Sequence, residues 1–215
     1  MRPNEATMEA PKPTLAAVLE KENLNRAWEA VRANKGAPGP DGRDIASTQA
    51  HMRENWENIE AKLRSGEYNP GPVRAVTIPK PNGGERTLGV PNVQDRLIQQ
   101  AIHAKLSKRC EPFFSEHSYG FRPMRSAHDA IRDLSKELQF GGHHFVVEAD
   151  IKGFFDNIQW EWLERMLEQR ISDGAILNLI RKWLRAGILE EDGKVIHPQT
   201  GTPQGGVISP VLANI

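Results

Sequence analysis

The sequence has 215 residues, of which 38% are hydrophobic and 26% are charged, which is typical of a globular protein and excludes a disordered or fibrous one. The 28 basic residues balance the 28 acidic ones, so the net charge alone does not indicate a polyanionic partner. Cys110 is the only cysteine, which excludes an internal disulfide framework and a multi-cysteine zinc site. No apolar run in the sequence is long enough for a signal peptide or a membrane span. We therefore expect a cytoplasmic protein with no membrane contact.

The first third of the chain is predicted to be helical. Residues 1–13 contain three prolines and are expected to form a flexible tail. Thr14 can cap a helix that runs to residue 31, with a break near Glu22 and Asn23. The segment 34–42 reads N-K-G-A-P-G-P-D-G and must be a loop, because its glycines and prolines cannot continue a helix. A second helix is predicted over residues 48–64.

A basic hairpin is predicted next. Residues 73–79 and 86–91 are β-prone runs on either side of a turn that contains Asn-Gly, a pair that favours a tight reversal. Between residues 62 and 109 the chain has nine basic and three acidic residues, a local net charge of +6. Such a block either binds an anionic partner or simply keeps a surface hydrated, and charge alone does not decide between the two.

The rest of the chain alternates between helical and extended patterns. Helical periodicity covers residues 92–109, 126–138, 160–171 and 175–184, and Pro210 is placed to start a further helix at Ser209. The apolar run 145–151 predicts a buried strand in a second sheet, and residues 188–196 predict a hairpin. A glycine-rich turn follows at residues 201–206. Because the apolar residues 211–215 need a packing partner, we expect the chain to continue beyond them.

Asp150 stands at the end of the predicted buried strand. A buried carboxylate is costly unless it is paired or bound to a metal, so this position favours a divalent cation. The alternative is that Asp150 caps the next helix, although Asp156 has the stronger claim to that role. The histidines have no spacing that indicates a metal site.

Several segments together resemble the group II intron reverse transcriptases. These segments are residues 86–91, 95–99, 118–123, 146–158 and 201–210. They occur in the same order and with the same spacing as in that family. The loop 34–42 and the helix before it resemble the N-terminal extension of these proteins. The resemblance implies an α+β fold of the right-hand polymerase type, truncated before the second catalytic motif and the thumb. It divides the chain into a flexible tail (1–13), an N-terminal helical extension (14–70), fingers (71–140) and a partial palm (141–215).

The resemblance also implies roles for individual residues at the polymerase site. Asp150 matches the catalytic aspartate, which with the backbone carbonyl of Ile151 and a later Tyr-x-Asp-Asp motif binds two Mg²⁺ ions. That motif is absent from this chain. Phe155 matches the ring that excludes a 2′-hydroxyl, and its neighbour Phe154 is predicted to be the core residue. Gln204 matches the glutamine beside the nascent base pair.

Two further groups match residues that hold the nucleotide and the template. Lys80 and Arg86 match the cations that bind the incoming triphosphate, and ordinary surface charge is the alternative. The residues that match template contacts are Tyr119, Phe121, Arg122 and Arg125, and core packing is the alternative for the two aromatic rings.

The function implied by the resemblance is RNA-directed DNA polymerase activity combined with intron RNA binding and a maturase role in splicing. Its partners would be an RNA template, intron RNA, a DNA primer and deoxynucleoside triphosphates, with two Mg²⁺ ions in the complete enzyme. The 215 residues alone are expected to bind nucleic acid weakly and not to polymerise. The alternatives are a non-catalytic RNA-binding splicing cofactor and a retron or CRISPR-associated reverse transcriptase. The sequence does not indicate an oligomeric state.

Overall fold

A computed structural model describes residues 11–81 and 83–215 of the chain. Residues 1–10 of the predicted tail lie outside this described part, and residues 11–13 have no regular secondary structure. The described helices, in chain order, are α1 (Leu15–Val18), α2 (Lys21–Ala33), α3 (Ile45–Ser65), α4 (Val93–Cys110), α5 (Ala127–Phe140), α6 (Phe154–Asn157), α7 (Trp160–Arg170), α8 (Gly174–Arg185) and α9 (Ser209–Asn214). A short 3₁₀ turn, Glu111–Phe113, follows α4.

Helix α4 forms the centre of the hydrophobic core. Its apolar residues are almost fully buried, and they include Leu97, Ile98, Ala101, Ile102 and Leu106. Helices α1, α2, α3, α7 and α9 all pack against it. Because α4 is covered on nearly every side, its sequence is apolar around much of the helix rather than along one stripe. The structure confirms the helix predicted over residues 92–109.

The predicted N-terminal helix is divided in two. The first piece, α1, begins at Thr14, whose side chain accepts a hydrogen bond from the Ala17 amide. The break lies at Leu19 and Glu20, three residues earlier than predicted. Asn23 stabilises this geometry, because its buried side chain donates to the carbonyl of Val18 at 2.8 Å and to that of Ala101 on α4 at 3.0 Å.

The sheet has four strands in the order β2-β1-β3-β4. They are β1 (Val73–Pro79), β2 (Glu85–Val90), β3 (Ile188–Leu189) and β4 (Val195–Ile196). Both predicted hairpins are confirmed, since β1 pairs with β2 and β3 with β4 in antiparallel fashion. Strand β3 runs parallel to β1, so the second hairpin extends the sheet begun by the first.

The prediction of a buried strand over residues 145–151 is wrong. This segment has no strand pairing, and Phe145 and Val147 are each 91% exposed. An extended segment needs a neighbouring strand for its backbone hydrogen bonds, and no strand of the described chain lies beside it. The second sheet predicted around this segment is therefore also absent from the described residues. Helix α5, which precedes it, exposes its predicted apolar face, with Ile131 at 62% exposure.

None of the described helices is both long and apolar enough to cross a bilayer.

Candidate nucleotide and nucleic-acid site

The first part of the site is the β1–β2 hairpin. Arg86 pairs in register with Ile78, and Lys80 begins the turn, where its amide donates to the Gly84 carbonyl at 3.0 Å. Both cationic side chains are exposed, and within the described part of the chain neither has an ion-pair partner. The hairpin therefore presents two uncompensated cations to solvent. Such charges suit the oxygens of a phosphate group.

The second part is the glycine-rich turn 201–206, which docks on β2. The amide of Gly89 donates to the backbone carbonyl of Gln204 at 2.6 Å. The approach is close enough that a Cβ atom on Gly89 would lie 2.8 Å from Val73 and 3.0 Å from Pro203, so only glycine fits there. Gln204 itself is half-buried beside the strand.

Buried polar side chains hold the turn in this position. Gln99 of α4 is 4% exposed, and its Oε1 atom accepts a hydrogen bond from the Val207 amide at 3.1 Å. The Ser209 hydroxyl donates to the carbonyl of Pro203 at 3.0 Å and lies 2.8 Å from the hydroxyl of Thr202. Gln99 lies in the segment 95–99 that carries the family resemblance, but no site role was predicted for it. Its signal was a polar residue between the apolar positions of α4, the central helix of the core, where a buried amide needs a specific partner.

The third part is the segment around Phe155 on α6. The Thr202 amide donates to the carbonyl of Phe155 at 2.8 Å, and the Gly201 amide donates to that of Ile158 at the same distance. The ring of Phe155 makes edge-to-face contacts with Phe121 and Phe154, at centroid distances of 6.2 and 5.7 Å. The predicted order of burial is wrong, because Phe154 is 39% exposed whereas Phe155 is half-buried.

Three segments that are far apart in sequence therefore meet at one place. Phe155, the turn that carries Gln204, and the backbone of β2 are joined by the hydrogen bonds of Thr202 and Gly89. A ring and an amide side chain are groups that can contact a base and a sugar. Phe121 extends this surface, since it contacts Phe155 and is 66% exposed.

Asp150 and Ile151 lie just before α6 in the exposed segment that forms no strand. Asp150 is exposed and Ile151 is 66% exposed, which contradicts the predicted buried carboxylate. No group of three or more histidine, cysteine, aspartate or glutamate side chains able to hold a metal occurs in the described residues. Since a two-metal site needs several carboxylates, the described residues do not fit a pair of Mg²⁺ ions on their own. Magnesium binding by Asp150 and Ile151 stays a prediction.

The four residues predicted to contact template occupy different environments. Tyr119 donates to the carboxylate of Asp133, which raises the pKa of the phenol, and the guanidinium of Arg125 lies 5.7 Å from the centre of the Tyr119 ring. Arg125 and Phe121 are accessible to a nucleic acid, and their template roles stay predictions.

Arg122 is different, and its predicted template contact is wrong. Only 4% of its side chain is exposed. The guanidinium donates to the carboxylate of Glu111, at 2.7 Å for the shorter contact, and to the carbonyls of Ser115 and Ser118. It also lies over the Phe114 ring. Each of its three nitrogen atoms donates within the protein, so Arg122 stabilises the loop that carries the neighbouring exposed residues.

We expect Arg122→Gln to affect mainly the stability of the fold and Arg125→Gln to affect mainly the binding of RNA. Arg122→Gln should lower the free energy of unfolding by about 2 kcal/mol, because it leaves carbonyls and a partly buried carboxylate without donors. Arg125→Gln should change stability by less than about 0.5 kcal/mol and weaken binding of an RNA oligonucleotide. Urea unfolding and fluorescence anisotropy measure the two quantities. Wild-type stability in Arg122→Gln combined with lost RNA binding would restore the predicted template role.

The glycine-rich loop at residues 34–42 is also held in a defined position. Arg74 of β1 donates to the carbonyl of Pro38 at 2.8 Å, and Arg96 of α4 donates to that of Ala37. The Asn92 side chain accepts from the amide of Asp41 at 3.1 Å. The loop is thus held against β1, Asn92 and α4 in a defined position.

Comparison with known proteins identifies relatives for nearly the whole chain. A family model described as reverse transcriptase (RNA-dependent DNA polymerase) matches residues 78–215. Protein YkfC of Escherichia coli strain K12 is 37% identical over 206 residues, which cover 94% of this chain and 54% of that protein. The group II intron-encoded protein LtrA of Lactococcus lactis subsp. cremoris is 40% identical over 190 residues, which cover 88% of this chain and 31% of that protein.

The fold also matches a solved structure. A chain of the partial Cas6-RT-Cas1–Cas2 complex superposes with a TM-score of 0.60 over 92% of this chain and 32% of that one, at 23% sequence identity. At that identity the match shows a shared fold only. The chain spans about half of YkfC and about a third of LtrA, and it is homologous to group II intron-encoded proteins over most of its own length.

Proposed function

This chain belongs to the reverse transcriptase (RNA-dependent DNA polymerase) family, and we propose that it supplies the nucleotide- and template-binding part of a group II intron reverse transcriptase. In this proposal the full activity is RNA-directed DNA synthesis, together with intron RNA binding and a maturase role in splicing. Residues 71–140 act as fingers and residues 141–215 as part of the palm. The similarity to the intron-encoded protein LtrA supports the intron assignment.

The observation that carries the proposal is the convergence at Phe155. The Gly201–Gly206 turn joins α6 on one side through the Thr202–Phe155 hydrogen bond and β2 on the other through the Gly89–Gln204 hydrogen bond. A deoxynucleotide placed here would meet the ring of Phe155 at its sugar and the side chain of Gln204 near its base. A ring at the 2′ position leaves no room for a hydroxyl, so this arrangement supports selection of deoxynucleotides.

The exposed cations of the hairpin supply the second element of the proposal. Lys80 and Arg86 lie on the same hairpin as Gly89, and no carboxylate of the described residues neutralises them. An uncompensated ammonium and guanidinium can both bind the triphosphate, the first as a point charge and the second through a planar fork of donors. Magnesium belongs to the complete enzyme in this proposal, with Asp150 and the carbonyl of Ile151 as the ligands from this chain.

The proposal is tested by photocrosslinking with 8-azido-dATP on an RNA–DNA primer-template. The double variant Lys80→Ala/Arg86→Ala is expected to reduce labelling about tenfold or more, since each lost phosphate contact removes a charge-assisted hydrogen bond. A matched control, Arg32→Ala/Lys136→Ala, removes the same charge from exposed positions on α2 and α5 and should leave labelling within about twofold.

The outcomes separate the alternatives. Wild-type labelling by 8-azido-dATP that exceeds labelling by 8-azido-ATP, and that Phe155→Val equalises, supports a deoxynucleotide site. RNA binding without any nucleotide-specific labelling would replace the polymerase proposal by that of a non-catalytic RNA-binding splicing cofactor. Equal losses in the hairpin variant and its control would show that only the total charge matters.

A further inference from the structure

A groove of about 460 Å³ lies on the N-terminal helices, away from the site described above. Helices α2 and α3 both pack on α4 but make few direct contacts with each other. The space between them is the groove. Its walls are Leu24 and Trp28 of α2 and Met52 and Trp56 of α3, and Leu97 of α4 lies at its floor.

Each wall carries its groove residues at helical spacing. Lys21, Leu24 and Trp28 follow one another at intervals of three and four along α2. On α3 the groove residues run from Gln49 to Glu60, a rise of about 17 Å or three turns. Two facing helices with a gap of this length leave the place that a further helix fills in a bundle.

The rim of the groove is positively charged. Lys21 and Arg53 line it, both are exposed, and neither has an ion-pair partner among residues 11–81 and 83–215. The acidic lining residue Glu60 is already neutralised, because it accepts from Arg64 at 2.7 Å and from the Trp56 indole at 2.9 Å. A partner with acidic groups beside its apolar face would therefore complement both cations.

A buried donor beside the groove is also unsatisfied. The Trp28 indole Nε1 atom is buried and has no hydrogen-bond partner within the described residues. Buried N–H groups are rarely left without an acceptor, so the wall formed by Trp28 lacks one hydrogen-bond acceptor.

We propose that the groove between α2 and α3 is a docking site for an amphipathic helix of a protein partner, with leucine-like residues on one face and acidic residues along its borders. The two tryptophans, Trp28 and Trp56, are half-buried in the groove walls, and the rest of the apolar lining is aliphatic. This favours a protein helix over RNA, because stacked bases need accessible ring faces and polar partners for their edges. Helix-in-groove recognition uses side chains at the spacing that both walls offer. The inference concerns binding only and does not depend on the proposed polymerase role.

The test uses the whole chain and a synthetic, fluorescein-labelled helical peptide of about four turns. The peptide has leucines along one face and glutamates at both borders of that face, and a scrambled peptide of the same composition serves as its control. Anisotropy should show saturable binding of the first peptide only. Binding should also change the fluorescence of Trp28 and Trp56. The variants Trp28→Phe and Trp56→Phe show how much each tryptophan contributes to that change.

Two sets of variants locate the site. Met52→Glu places a charge on the groove wall and should weaken peptide binding about tenfold or more. The matched control Met166→Glu places the same charge on an exposed methionine of α7 and should change binding by less than about twofold. The exposed pair Lys21→Glu/Arg53→Glu should reverse the preference, so that a peptide bordered by lysines binds better than the one bordered by glutamates.

The proposal is overturned by any of three results. The glutamate-bordered peptide could bind no better than the scrambled one. Binding could survive both Met52→Glu and the charge reversal. An oligouridylate could displace the peptide from the wild-type chain at lower concentration than the unlabelled peptide does, which would make the groove an RNA surface.

Discussion

Replacing Asp95 by alanine is expected to lower the free energy of unfolding by about 4 kcal/mol. Asp95 is 2% exposed, and one of its carboxylate oxygens accepts from the Tyr68 hydroxyl at 2.9 Å and from the Trp183 indole at 3.1 Å. Alanine would leave both donors buried without this acceptor. These donors come from the α3–β1 linker and from α8, so the substitution loosens both elements around α4.

Urea unfolding measures this loss, with Asp192→Ala as the matched control. Asp192 also accepts a backbone hydrogen bond, from the Lys194 amide at 2.9 Å, but in an exposed turn where water can replace it. We expect that control to cost less than about 1 kcal/mol. Similar costs for the two variants would mean that burial of the Asp95 carboxylate adds nothing to its role.

The same carboxylate predicts a pH dependence of stability. Burial raises the pKa of Asp95 from 3.8 to about 6, against the opposing effect of its hydrogen bonds. Because the folded state binds this proton more tightly than the unfolded state, protonation stabilises the fold. The contribution is fully present below about pH 4 and is lost as the pH rises through about 6. At neutral pH the carboxylate is still mostly ionised in the folded protein, because pH 7 lies above this pKa, but its burial makes the ionised form costlier there than in the unfolded chain.

The variant Asp95→Asn isolates this effect, since it keeps an oxygen acceptor but cannot titrate. Relative to that variant, the wild type should gain on the order of 3 kcal/mol of stability between pH 7 and pH 4. Other titrating groups contribute almost equally to both proteins and cancel in the difference. A stability difference that stays constant between pH 4 and pH 7 would contradict the raised pKa.

Local sequence patterns were sufficient to predict most helices and both hairpins. Helix α5 begins where Ser126 can cap it, and α3 ends at Gly66, which has the positive φ of 76° that favours glycine. Such signals depend on a few adjacent residues. The β1–β2 hairpin is of the same kind, because its turn chemistry and its two β-prone runs lie within one short segment.

The errors arose where the outcome depends on distant residues. The run 145–151 has the composition of a strand, but a strand also needs a partner, which composition does not reveal. Arg122 belongs to a motif that resembles a template contact, yet Glu111 and two carbonyls occupy its guanidinium. Resemblance could not say which of the two arginines of this segment, Arg122 or Arg125, faces solvent. That choice is made by the loop geometry at residues 115–118.

The segments of the candidate site could be predicted from sequence motifs, whereas the contacts that join these segments could not. Phe155 and Gln204 were both identified from motifs, but nothing in the sequence indicated that Gly201 would join them. The structure shows why a glycine is needed. Its φ is +83°, and a Cβ atom would lie 2.6 Å from the carbonyl oxygen of Asp156 and 2.7 Å from that of Phe155. Both are backbone atoms of α6, which a side-chain rotation cannot move away.

Gly201→Ala is accordingly expected to lower the free energy of unfolding by about 4 kcal/mol. The added methyl group forces the turn away from α6 and disrupts the hydrogen bond from the Gly201 amide to Ile158, the one from the Thr202 amide to Phe155, and the one from the Trp160 indole to the Gly201 carbonyl. Gly193→Ala is the matched control. It has a nearly identical φ of +85° and no atom within 4 Å of the added Cβ, so it should cost only about 1 kcal/mol of backbone strain.

The two alanine variants thus separate backbone strain from contact with Phe155. Urea unfolding gives the stabilities, and hydrogen exchange should show faster exchange of the Gly201 and Thr202 amides in Gly201→Ala alone. In the nucleotide crosslinking experiment the same variant should lose labelling, because the turn that carries Gln204 no longer rests against α6. Equal destabilisation by both substitutions would mean that the turn tolerates a side chain. The convergence of Phe155 and Gln204 would then not depend on the close approach at Gly201.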